Sequence, residues 1–228
     1  MDIVVAGAHG RIARLLVPRL VARGDKVRGL IRNAGHTPDV EADGADAVVL
    51  DLESATTDDV DEVIGGAGAV VFAAGAGPGS GAERKWTVDH GAARLLIDAA
   101  ARRGVRRYVM VSAMGTDDPP TDDAVFSVYL QAKARADEDL RAAGLDHTIV
   151  RPGRLTDDPG TGLVSVDRHV PRGSVTRDDV AAVLAAVLPE AGTYGRTFEL
   201  VAGDRPIDDV PAVVSALTPD TEATRSSR

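Results

Sequence analysis

Gly7-Ala8-His9-Gly10-Arg11-Ile12-Ala13 is the stretch from which the rest of this chain is read. It follows an apolar run, Ile3-Val4-Val5-Ala6, and opens a pattern in which apolar residues recur three to four apart: Ile12, Leu15, Leu16 and Leu20. A buried strand, a glycine turn and a helix, in that order, form the entrance to a dinucleotide-binding βαβ unit. Gly7 lets the chain turn sharply off the strand, and Gly10 has no side chain to obstruct a pyrophosphate. The backbone N–H groups and the positive end of the new helix then hold the phosphates. Gly7, His9, Gly10, Arg11 and Ile12 are therefore the expected phosphate-binding stretch. Ala13 stands where a third glycine is usual and is small enough for close packing of helix on sheet.

Working outward, the same alternation recurs. Apolar runs predict strands at 26–31, 47–50, 69–74, 107–112 and 147–150. Helical spacing predicts helices at 11–23, from Thr57 to the Gly65-Gly66 pair, and at 82–103 and 124–143. Pro18 is expected to kink the first helix or weaken one turn. Residues 34–44 read as a loop with at most one helical turn. The glycine-rich segment 75–81 reads as a mobile loop. After Gly153 the rhythm changes. A short strand is expected at 163–166, with 169–170 in a returning one, then a helix at 176–188, a last strand at 197–201 and a closing helix at 207–217. The strands are continuous apolar runs, which implies cover on both faces. The expected fold class is α/β: a doubly wound, mostly parallel sheet with helices on both faces and a small C-terminal extension on the substrate side. Residues 1–217 read as one domain, with 1–152 as the nucleotide-binding core and 153–217 as the smaller part. Residues 218–228 read as a frayed polar tail.

Composition narrows the class. A chain of 228 residues suits one large domain. It has no cysteine, hence no disulfide or thiolate chemistry. No apolar stretch approaches the length of a membrane span, and no targeting pattern precedes the first strand, so a soluble cytoplasmic protein is expected. The net charge is −9, with 35 acidic and 26 basic residues. Lys26, Lys85 and Lys133 are the only lysines; the other bases are arginines. High-salt adaptation and a GC-rich genome both account for this balance, and either argues against nucleic acid as a partner. The histidines lack metal-ligand spacing, and no metal is expected. The expected partners are a small-molecule substrate and, at most, a second copy in a homodimer.

Two sets of residues carry the chemistry. The residue ending the second strand chooses the nucleotide: an acid favours NAD, an arginine NADP. Here it is Arg32, with Arg11 as a second candidate for the phosphate, so NADP is expected over NAD. Asp51-Leu52 would lie beside the adenine, and Ala73-Ala74-Gly75 is small enough to let the cofactor pass. Tyr129 and Lys133 lie four apart on one helix and share a face. A phenol serves as the acid if a nearby ammonium favours its anion, and Lys133 would supply that charge and hold the nicotinamide ribose. Ser112 would orient a substrate carbonyl, with Thr116 as a rival. Asp89, on the buried side of its helix, needs a partner: Lys133 through water, or a neighbouring turn. His90 is expected to be exposed.

These motifs, with Val111-Ser112-Ala113, Tyr129-Leu130-Gln131-Ala132-Lys133 and Thr148-Ile149-Val150-Arg151-Pro152-Gly153, resemble an atypical group of the short-chain dehydrogenase/reductase superfamily. That group includes NmrA-like and biliverdin-reductase-B-like NAD(P)-binding Rossmann proteins. The resemblance extends to about Leu217. It implies that Pro152 and Gly153 lie along the nicotinamide, and that Asp89 stands where the superfamily usually has an active-site Asn. It implies an NADP-dependent oxidoreductase of a small carbonyl, quinone or similar acceptor, with Tyr129, Lys133, Ser112 and Asp89 as catalytic candidates. The alternatives are a non-catalytic NADP-binding redox sensor or regulator, and a sugar epimerase or dehydratase.

Overall fold

The computed structural model describes residues 1–77 and 79–220. Strand β1 (Asp2–Ala6) is buried from Ile3 onward. It pairs in parallel with β2 (Lys26–Ile31) on one side and β4 (Ala69–Phe72) on the other. β3 (Asp46–Val49) continues beyond β2. Beyond β4 follow β5 (Arg107–Val111), β6 (Asp146–Pro152) and β10 (Arg196–Ala202), all parallel. β8 (Leu163–Asp167) and β11 (Arg205–Pro206) complete that edge with antiparallel pairing. The order is β11-β8-β10-β6-β5-β4-β1-β2-β3. The direction of winding reverses between β1 and β4, so a crevice opens beyond their carboxyl ends.

Strand alternation sorts the core into two layers. Ile3 and Val5 lie in the layer that also takes the buried faces of α1 (Ala13–Ala22), α7 (Arg177–Val187) and α8 (Val210–Ala216). Val4 and Ala6 pack against α3 (Thr57–Ile64) and α5 (Ala93–Arg103), and the same layer takes Ala136 and Leu140 of α6 (Val125–Ala142). Each valine, leucine or isoleucine among them contributes roughly 1.5–3 kcal/mol on burial. Local signals fix the helix starts. Thr56 and Asp59 form a reciprocal capping box on α3, and the Thr176 hydroxyl accepts from the Asp179 N–H at 2.9 Å. Helix α1 runs through Pro18. Among the described residues no helix is long and apolar enough to cross a membrane.

Four expectations need correction. Residues 34–44 form a 3-10 turn, Ala34–His36, and then α2 (Thr37–Ala42), with Pro38 in its first turn, where a missing N–H costs nothing, and Val40 buried beneath it. The long helix of 82–103 is not uniform. α4 (Ala82–Arg84) passes into a π-helical stretch, Lys85–Ala92, before α5 begins. The returning strand is β9 (Ser174–Thr176), not 169–170, and it pairs in parallel with β7 (Arg154–Thr156) in a separate two-stranded sheet. The main chain is tight there: a Cβ on Gly153 would stand 2.4 Å from the Gly173 carbonyl oxygen. Finally, the tail does not fray at Thr218. Asp220 is buried and bonds His147 Nε2 at 2.9 Å and Thr197 Oγ1 at 2.7 Å. The remainder of that expected tail, 221–228, and Pro78 of the glycine-rich loop lie outside the described residues.

Burial alone would raise the Asp220 carboxyl, but its bonds to His147 and Thr197 and the charge of Arg141 hold it below the usual range. A carboxyl depressed on folding stabilises the protein above its unfolded pKa, and that contribution fades as pH falls toward the folded value. Asp220→Asn should cost about 1.5–3 kcal/mol in urea unfolding at neutral pH. The gap between variant and parent should narrow below about pH 4, the unfolded carboxyl range.

Candidate functional site

The glycine turn is built as its sequence requires. Gly7 has φ +76, and a Cβ there would lie 2.7 Å from the Ala74 Cα. The Gly10 N–H donates to the Gly7 carbonyl at 2.7 Å, and the Ala8 N–H to the Leu30 carbonyl at 3.0 Å. Two adjoining cavities open from this turn, of about 230 and 1370 Å³. Gly7, Arg32, Asp51 and Leu52 line the smaller. Arg11, Ile12, Asp89, Ser112, Tyr129, Lys133, Pro152 and Gly153 line the larger. His9, Gly10, Ala73, Ala74 and Gly75 line both. One crevice thus gathers residues from eight separate stretches of sequence.

The smaller cavity holds more charge than expected. The Arg32 side chain is 58% exposed, with Glu53 at 3.8 Å. Glu53 itself is bonded by Arg84 and, at 2.6 Å, by Thr87. The bond from Arg84 is the main cause that keeps its carboxyl ionised below the usual range, against the opposing effect of burial. The His9 ring stacks on His36 at 3.6 Å and shares a 2.8 Å hydrogen bond with Asp39. His36, Glu53 and Arg84 escaped the reading of the sequence because nothing in their spacing marks them. Arg11 does not join Arg32. It pairs with Asp157 at 2.5 Å and faces the larger cavity.

The larger cavity contains the reactive groups. Tyr129 and Lys133 share the inward face of α6. Lys133 Nζ donates to the Val111 carbonyl at 3.0 Å and lies 3.4 Å from Asp89 Oδ1. The Asp89–Lys133 contact is therefore direct, without an intervening water. The other oxygen of Asp89 accepts from the Ala76 N–H at 3.2 Å, so Asp89 also bonds a neighbouring loop. Ser112 Oγ is buried and has no hydrogen-bond partner among the described residues. Thr116 is no rival to it: its hydroxyl is occupied by the Ala113 carbonyl and Asp137, both at 3.2 Å. His90 is half-buried against Asp139 at 2.8 Å rather than exposed.

The phenol behaves differently from the expectation. Burial pushes the Tyr129 pKa up. Lys133 pulls it down, but Asp89 and Asp137 push it up again, and the net direction is upward. Lys133 moderates the phenol without making it an anion, because burial outweighs its charge and the two aspartates oppose it. A second cation also stands close. Lys85 Nζ is 5.5 Å from the centre of the Tyr129 ring and donates to the Gly77 carbonyl at 2.9 Å. The π-helical stretch brings both Lys85 and Asp89 inward. The available signal for Lys85 was its rarity, as one of three lysines. Phe126 adds a second ring 6.0 Å from Tyr129. Among the described residues no cluster of three metal-ligating side chains occurs.

Comparison with known proteins agrees with this geometry. A family described as NAD(P)H-binding matches residues 7–191. The uncharacterized sugar epimerase YhfK of Bacillus subtilis is 37% identical over 208 residues, covering 91% of this chain and 97% of that protein. The UPF0659 protein YMR090W of Saccharomyces cerevisiae is 33% identical, over 91% of this chain and 96% of its own length. Among solved structures, a Bacillus halodurans protein provisionally named an NAD-dependent epimerase/dehydratase is 39% identical with a TM-score of 0.87, covering 93% of this chain and 99% of that one. The oxidoreductase ylbE of Lactococcus lactis is 25% identical with a TM-score of 0.82, over 93% and 95%. The chain belongs to the NAD(P)H-binding family, within the atypical short-chain dehydrogenase/reductase-like Rossmann proteins.

Proposed function

We propose that this protein is an NADPH-dependent reductase of a small carbonyl, quinone or similar acceptor. The observation that carries this reading is the meeting of Ser112, Tyr129 and Lys133 on the cavity that begins at the glycine turn. The buried Ser112 hydroxyl has no partner among the described residues and is suited to donate to an acceptor oxygen. A phenol whose pKa is raised stays protonated at neutral pH, so Tyr129 suits the acid required for reduction. A bound nicotinamide supplies the hydride. Tyr129 gives its proton to the oxygen that gains charge, and the product leaves as the alcohol or hydroquinone. Lys133, anchored by the Val111 carbonyl and Asp89, then stabilises the tyrosinate until solvent returns the proton.

Arg32 supports NADPH as donor, because its guanidinium is mostly exposed on the smaller cavity and forks toward a phosphate. Glu53 beside it favours a bare ribose and so NADH, although its charge is already taken up by Arg84. An epimerase reading has support in the names of relatives. The short part after Gly153 offers a nucleotide-sugar little to hold it.

Tyr129→Phe should lower kcat with an accepted quinone by roughly a hundredfold or more, with the Kd for NADPH unchanged in calorimetry. A redox sensor would instead keep every measurable property in that variant. The parent's kcat should hold level with rising pH and decline only above about pH 10, since the donor must be protonated and its pKa is raised above the ordinary phenol value. Arg32→Gln should weaken NADPH about tenfold and leave NADH unaffected; equal loss for both would reassign the residue.

A further inference from the structure

We propose that the larger cavity selects an acceptor with an apolar body that carries a carboxylate, and that Arg154 and Arg172 hold that carboxylate. The inference rests on the reductase reading for its chemistry and on separate residues for its recognition.

Charge is the first observation. The chain is acidic overall, at −9, yet the cavity wall is cationic. Among the described residues Lys85, Lys133, Arg11, Arg154, Arg172 and Arg177 line it, against Asp89 alone among carboxylates. Four of these cations are already engaged. Arg11 and Arg177 share Asp157, at 2.5 and 2.6 Å. Lys133 is paired with Asp89, and Lys85 is bonded to the Gly77 carbonyl. Arg154 and Arg172 are exposed, and neither has a carboxylate partner among the described residues. By contrast, surface arginines such as Arg14, Arg94, Arg102 and Arg106 each grip an aspartate.

Placement is the second. Arg154 follows Gly153 directly, and its N–H donates to the Gly173 carbonyl at 3.0 Å. Arg172 precedes Gly173. The close approach of Gly153 to the Gly173 carbonyl leaves no room for a side chain between these two short segments, so both arginines start from one fixed piece of main chain. That piece belongs to the β7–β9 sheet, not to the glycine turn that would take the pyrophosphate. Two guanidinium groups on the wall of one cavity suit a carboxylate, which accepts paired N–H donors.

The apolar half of the site is the third. Val125 and Phe126 begin α6 and line the same cavity, yet they are 47% and 66% exposed. Large apolar side chains left open on a cavity wall mark a surface that a ligand covers. With Met114 and Leu155 they provide the apolar contact, and the arginines provide the charge.

The test titrates NADP⁺-loaded protein with naphthoate and, separately, with neutral naphthamide, which match in shape and differ in charge. Neither probe needs turnover, so the result does not depend on the reductase reading, which Tyr129→Phe tests on its own. Naphthoate should bind about tenfold more tightly than naphthamide in the parent. The double variant Arg154→Gln/Arg172→Gln should bring the two affinities together while the Kd for NADP⁺ changes less than about threefold, a fraction of the tenfold effect sought. Arg205→Gln, on β11 and outside the cavity, should keep the preference and controls for net charge. Equal affinity of the probes in the parent, including no binding of either, overturns the proposal. So does a preference that survives the double variant, or a variant whose main loss is NADP⁺ affinity, since the arginines would then serve the cofactor.

Discussion

The structure depends on one close approach, between the turn after β1 and the chain leaving β4. At Gly7 the backbone passes so near Ala74 that a single added carbon would overlap it. β1 and β4 are neighbours in the sheet, and the winding reverses between them. Their carboxyl ends therefore splay toward helices on opposite faces, and the crevice left over is the site. Small residues at Gly7, Ala73, Ala74 and Gly75 keep that crevice open. Everything placed around it, from Arg32 on one flank to Pro152 on the other, is positioned by strands in register with these two.

A second constraint is electrostatic. Lys133 and Asp89 are almost wholly buried, at 5% and 1% side-chain exposure. Such a pair is costly to desolvate, and it persists where each charge has further partners. Here the Val111 carbonyl and the Ala76 N–H provide them. The pair thereby ties α6 to the π-helical stretch and to the loop that follows β4. Tyr129 sits against this assembly, and its proton affinity reflects the balance of one cation, two aspartates and a dry surrounding.

Much of this was legible in the residues. The parallel sheet followed from continuous apolar runs, since a strand covered on both faces has no polar side to show. The glycine turn was visible because a tight turn before a helix demands particular residues in order. Other features left no local trace. Residues 34–44 looked like a loop because Pro38 and two glycines obscure the single buried side chain, Val40, that α2 contributes. The direction of the Tyr129 shift depends on burial by distant segments. Asp220 looked like part of a polar tail, and only its meeting with His147 and Thr197 shows otherwise. Arg154 and Arg172 stood in stretches without periodicity, so spacing could not pair them.

The π-helical stretch has a consequence for the length of this chain. A turn of π-helix holds more residues than a turn of α-helix, so Lys85–Ala92 takes up length that a regular helix would not need. Removing one residue there would let the segment return to α geometry with the helices on either side nearly in place, so the loss would fall on the widened turn itself. Lys85 and Asp89 both belong to that turn, and both line the cavity. The width of one helical turn therefore bears on whether this crevice keeps its second ammonium beside its carboxylate.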